Sequence, residues 1–260
     1  MFTTGPIGLL LSSLGAAEWK RLLAFVSPAF FRVMPMSELT GAVRKGMRES
    51  RDRPSTAMRR GAFPFEVRAP SSGDAALYFY FRQILSGPDC LLDLSDAAFQ
   101  FNEGTGAWRW MPEPLRFVFS DSFQKNMAKV YCGFYEEDAQ AFSEGLSGLG
   151  LTGCEDVFRQ HFGEGDQTAV VFSIPRFVSS FEEIFRECRK RGLTLGGDFV
   201  ALGVMLGLVY EHLEKAGGES RRWDVHAAYL KARRKPTVPA GSLLSQGNRH
   251  GQARGASSTR

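Results

Sequence analysis

Histidine and cysteine are scarce in this chain, with four of each among 260 residues. Cys90, Cys132, Cys154 and Cys188 are widely spaced and include no CxxC pair. Neither a zinc-site spacing nor a disulfide framework is present, and a reducing, cytosolic setting fits. GEGDQ (Gly163 to Gln167) lacks the Lys-Ser/Thr pair of a phosphate-binding loop, and no GxGxxG follows a strand. His212 stands in YEHLE without the second histidine of an HExxH motif. No apolar run is long enough to span a bilayer. The stretch Gly5 to Ala17 resembles the core of a signal peptide, yet no basic residue precedes it. These absences leave no strong metal or nucleotide motif, and the stretch at Gly5 to Ala17 leaves cleavage or membrane association open.

What is abundant is phenylalanine, 22 residues, which brings apolar area without a polar tip and belongs in a core. Charge is unevenly spread. Residues 71–218 carry 12 basic and 21 acidic side chains, residues 32–70 nine and four, and residues 219–260 nine and two. An acidic body therefore lies between basic flanks. Such flanks suit an acidic protein surface or anionic lipid, and Arg44, Lys45, Arg48, Arg59, Arg60, Arg233, Arg234 and Lys235 are the candidate partner-binding residues. No nucleic-acid reader motif appears, so sequence-specific nucleic-acid binding is not expected.

The expected fold is α+β, predominantly helical, with one small antiparallel hairpin or sheet. Residues 1–17 form a flexible or interfacial segment. One domain spans 18–230 with a basic loop at 50–61, and 231–260 form a disordered basic tail. Helices are expected at Glu18–Val33 and Glu38–Glu49. The first docks on the core or, alternatively, lies on a bilayer, with Pro28 bending it. Phe63–Val67 reads as an edge strand, and Asp74 as the cap of a buried helix ending at Gly87. The segment LLDLSDAAFQFNEGTGAWRW then alternates as strands do. Strands are expected near Cys90–Leu94, Ala98–Asn102 and Ala107–Met111, with a turn at EGTG. Phe99, Phe101, Trp108 and Trp110 fall on one side of that pleat. LRFVF is a further strand or an extended crossing.

Ser120 or Asp121 caps a helix to about Glu136, Asp138 opens the next, and a short one covers Glu155–Phe162. TAVVFS is a strand or a helix start. Pro175 begins another helix, and Asp198 caps the last, which ends at Gly217. Gly203 and Gly207 on that helix imply close packing against a neighbour.

Candidate catalytic groups are few. His161, beside Asp156, Glu164 and Asp166, is a possible base, though a histidine at a helix carboxyl end also serves as a cap. Asp93 and Asp96 are three apart, and only a turn between them would let both carboxylates converge. Asp121 completes the set, and no metal site is assigned.

Taken in order, FYFRQILSG, LLDLSDAAFQFNEGTGAWRW and PLRFVFSDSFQKNMAKVYCGFYEEDAQAFSEGLSGLG resemble the carboxyl-lobe segment of the UbiB/AarF atypical kinase family. The resemblance implies a helix, a catalytic loop, a hairpin, a metal-binding turn, a helix ending in an acidic break, and a helix closing on Leu-Gly. The family's His-Ala-Asp-x-His-Pro-Gly-Asn run is absent. Asp93 occupies its aspartate's place, and FVFSD stands at the DFG-type position. Phosphoryl transfer needs metal ligands and a charged phosphate cradle, and the chain lacks this equipment.

Three readings follow. A non-catalytic interaction or scaffold protein, with no cofactor, leaves Asp93, Asp96 and Asp121 scattered or facing solvent. A degenerate phosphotransferase, taking magnesium and ATP, gathers them around one cavity beside a basic group. A small-ligand carrier requires an apolar pocket among the helices of 122–217. A peripheral membrane location is the alternative to a free cytosolic one.

Overall fold

The computed structural model describes residues 65–112, 116–162, 169–193, 195, 197–218 and 221–234. The expectations for residues 1–64 and 235–260 lie outside the described residues, as do Arg44, Lys45, Arg48, Arg59, Arg60 and Lys235. The element order is β1 (Glu66–Val67), α1 (Ser72–Ser86), β2 (Asp89–Leu91), a 3-10 turn (Asp96–Ala98), β3 (Phe99–Asn102), β4 (Ala107–Trp110), β5 (Arg116–Val118), α2 (Asp121–Tyr135), α3 (Ala139–Gly148), α4 (Glu155–Phe162), β6 (Ala169–Val171), α5 (Ile174–Lys190), α6 (Gly197–Gly217), β7 (Arg222–Asp224) and α7 (Val225–Arg233). The chain is α+β and predominantly helical. The expected hairpin is joined by β1 into a three-stranded sheet, β1-β4-β3, and two further strand pairs, β2-β5 and β6-β7, accompany it.

The three-stranded sheet separates its two faces by the period of two. Phe99 pairs with Trp110, and Phe101 with Trp108, in antiparallel register. The inner pair is buried and stacks on Phe79 of α1, with ring centroids 4.9 Å apart for Phe79 and Trp110. The outer end is open, and Phe101 is 52% exposed. On the opposite face Arg109 reaches Glu66 at 2.7 Å.

Strands β2 and β5 pair across everything the chain inserts between them, with Cys90 opposite Phe117. The buried side chain of Gln83 acts as a third strand. Its Nε2 donates to the Leu91 carbonyl at 3.0 Å, and its Oε1 accepts from the Leu91 N–H at 2.6 Å. A central glutamine is stable there because both ends of its amide are satisfied.

Ser71, rather than Asp74, caps α1. Its hydroxyl accepts from the Asp74 N–H and donates to the Asp74 carboxylate at 2.6 Å. The helix starts two residues before Asp74, which places Asp74 in the first turn, where a carboxylate complements the helix field. Ser120 caps α2 and Asp138 caps α3. These two helices form a hairpin packed through glycine. A Cβ on Gly133 would lie 2.3 Å from the Phe142 backbone nitrogen. On α6, Gly203 faces the Phe181 ring of α5, as close packing of that helix requires.

Asp198 sits within the first turn of α6 rather than capping it, because the helix already begins at Gly197. Its carboxylate instead accepts from the Ser120 hydroxyl at 2.6 Å, tying the starts of α2 and α6 together. TAVVFS forms strand β6, paired with β7. Helix α7 has no counterpart among the expected elements. It packs on α1, and Tyr229 is fully buried against Phe81. It also carries described backbone to Arg233, beyond the expected domain end at 230.

Candidate functional site

The turn between β2 and β3 carries the first two candidate aspartates, each with its own partner. Asp93 Oδ1 accepts from the Ser95 N–H at 3.1 Å and from the Ser95 hydroxyl at 2.6 Å. The Asp93 carbonyl accepts from the Trp110 indole at 2.8 Å. This is an aspartate closing a local turn, as its short polar side chain favours. Asp96 opens the 3-10 turn and receives Lys215 Nζ of α6 at 2.7 Å. The Lys215 hydrogen bond holds the Asp96 carboxyl below its usual range. The pair is largely in water, so it contributes no more than about 1 kcal/mol.

Behind this turn lies His212, whose side chain is 0% exposed. Its Nδ1 is 3.1 Å from the Leu94 carbonyl and its Nε2 is 3.0 Å from the Ser72 hydroxyl. A carbonyl can only accept, so Nδ1 carries the proton and Nε2 accepts from Ser72. Asp96 Oδ1 lies 3.5 Å from the same Nε2. Burial pushes the imidazole below its ordinary value. The Leu94 carbonyl and the nearby Asp96 carboxylate only partly oppose this. The ring is therefore neutral at neutral pH, and its approach to Asp96 is not an ion pair.

A serine hydroxyl donating to an oriented imidazole is the arrangement that activates a nucleophile. Here both groups are buried, the imidazole has no exposed surface, and Phe99 packs 5.1 Å from it. The arrangement locks α1, α6 and the β2–β3 turn to one another.

The other candidates lie elsewhere. Asp121 is exposed in the first turn of α2, next to the Ser120–Asp198 contact. His161 falls in the last turn of α4, at the edge of the described residues. Arg233 is ion-paired with Glu136, and Arg234 is exposed at the end of α7. Among the described residues, no three His, Cys, Asp or Glu side chains are grouped to hold a metal ion. Burial pushes the Cys90 thiol up and the Cys154 thiol up to about 11, which keeps them protonated at neutral pH.

Ser72 and His212 were not among the sequence candidates. One signal was available. Met205, Val209, His212 and Leu213 share the inward stripe of α6, and a histidine there must find partners. The partners themselves are as many as 140 positions away, and no local pattern names them.

A second feature occupies the centre of the helical half. A cavity of about 50 Å³ opens between α1, α2, α4, α5, α6 and α7, within a recess whose empty space, open mouth included, is about 630 Å³. Leu77, Met127, Ile184, Leu202 and Val209 are among its walls, with Tyr80, Tyr131 and Tyr210. The hydroxyls of Tyr80 and Tyr131 bond to each other. At roughly 24 cal/mol per Å³, such a void costs about 1 kcal/mol of stability when empty.

Comparison with family models, with curated proteins and with solved structures returned no match. Among the described residues no helix is long and apolar enough to cross a membrane.

Proposed function

We propose that this domain is a non-catalytic interaction protein laid out on the plan of an atypical-kinase carboxyl lobe. The layout is supported by the order of elements. A helix (α1) is followed by a strand, a turn, a hairpin, a strand that returns to pair with the first, and two helices separated by an acidic break at Glu136–Asp138. The non-catalytic reading rests on one observation. Asp93, in the place the resemblance gives to the catalytic aspartate, accepts two hydrogen bonds from Ser95. Its Oδ1 is engaged in closing a local turn. Asp96 is paired with Lys215, and Asp121 stands on a different helix.

The partner class is an acidic protein surface or an anionic membrane, engaged by the basic flanks of the chain. Thermal denaturation of the full chain tests both halves of the reading. Magnesium and ATP are expected to leave the midpoint unchanged. Vesicles containing phosphatidylserine, or a polyanion such as heparin, are expected to shift it at low salt and not at high salt. A nucleotide-specific shift that disappears in Asp93→Asn would replace this reading with a phosphotransferase.

A further inference from the structure

We infer that the core recess is a binding site for an alkyl chain that enters with its methyl end first. This inference is independent of the kinase-like layout and rests on the walls, the size and the mouth of the recess.

Among the described residues the walls carry no charged side chain, and their polar side-chain groups are tyrosine hydroxyls. Two of those hydroxyls, on Tyr80 and Tyr131, are already committed to each other. A water inside would find too few partners, because an ordered buried water needs about two to four. The cavity therefore selects an apolar occupant. Its 50 Å³ is a third of the roughly 150 Å³ known to admit benzene. The space suits the end of a narrow chain and is too small for an aromatic ring. The empty space continues from the cavity to solvent. A chain end fits this shape: its last carbons fill the cavity and the rest lies along the recess toward solvent.

The test uses the full-length protein, methyl-detected NMR and three kinds of probe: xenon, the straight-chain alcohols from 1-butanol to 1-octanol, and benzene. Xenon and the alcohols are expected to give saturable shifts at Ile184, Leu202 and Val209, with affinity rising with chain length. Benzene is expected to give none in the parent protein. Val225→Ile, which adds one carbon to the wall, is expected to weaken the xenon and alcohol shifts. Leu202→Ala, which enlarges the space, is expected to admit benzene. If Leu202→Ala does not fold, Val225→Ile still decides. The inference is overturned if no alcohol gives a saturable shift, whatever xenon does, or if Val225→Ile leaves the alcohol shifts as they were.

Discussion

Helices α1 and α6 border two buried centres of opposite character. At one end, Ser72 of α1 and His212 of α6 meet with both imidazole nitrogens partnered. Further along, Tyr80 and Phe81 of α1 face Leu202 and Val209 of α6 across an underfilled apolar space. The first centre is fixed by direction, since a hydrogen bond tolerates little displacement and an unsatisfied buried group costs about 1–3 kcal/mol. The second is fixed only by volume, and volume can be traded among neighbours. The same pair of helices is therefore rigidly registered at one end and adaptable at the other.

The sharpest way to break this contrast is His212→Ala. It removes a buried ring and leaves the Ser72 hydroxyl and the Leu94 carbonyl without their partner. A loss of about 3 kcal/mol in urea denaturation is expected. A loss below about 1 kcal/mol would mean that the polar centre does not set the register.

Acid should act on the same residue. The folded imidazole binds its proton less readily than the unfolded one, whose ordinary value is 6.5. The unfolded state thus takes up more protons below that value. Stability contributed by neutral His212 is fully present above pH 6.5 and is lost as the pH falls below it. Unfolding free energies measured between pH 7.5 and 5.5 should decline in the parent protein. The His212 part of that slope should vanish in His212→Gln. An equal slope in both proteins would assign the decline to other groups.

Smaller effects sharpen the apolar side. Val225→Ile fills about half of the cavity and is expected to raise stability by about 0.6 kcal/mol, from roughly 24 cal/mol per Å³. Destabilisation by that substitution would show the walls to be unable to accept a carbon. The smallest change belongs to the exposed edge of the polar centre. Lys215→Ala removes a solvent-screened partner of Asp96 and should cost under about 0.5 kcal/mol in the same denaturation assay. A cost comparable to that of His212→Ala would mean that the lysine belongs to the buried network.

The two centres also differ in how far they could be read from the sequence. The hairpin was legible because alternation, the EGTG turn and paired aromatics all act over a few residues, and its strands fall within a residue of the expected bounds. The Ser120 and Asp138 caps were legible for the same reason. At α1 a serine and an aspartate compete for the cap role three positions apart, and tertiary contacts decide. Arg221 reaches both Ser71 and Asp74 from beyond α6. Helix α7 was missed because the basic, low-complexity composition after it hid a short buried stripe at Val225, Ala228, Tyr229 and Ala232. The polar centre joins residues 72, 94, 96 and 212, and local periodicity carries no information about such pairings. The cavity follows from which of many phenylalanines meet, and composition alone cannot specify that.

The pairing of β2 with β5 has a practical consequence. Leu91 and Arg116 lie directly opposite each other, so the segment between them begins and ends at neighbouring points. Between them Leu94, Phe99 and Trp110 are buried against the helices, and the exposed β3–β4 tip is the part whose length can change without pulling on them. Lengthening the tip at Gly104–Gly106 should leave the rest of the molecule undisturbed. That tip offers a place to graft a fluorophore or an affinity handle with which an unknown partner can be caught.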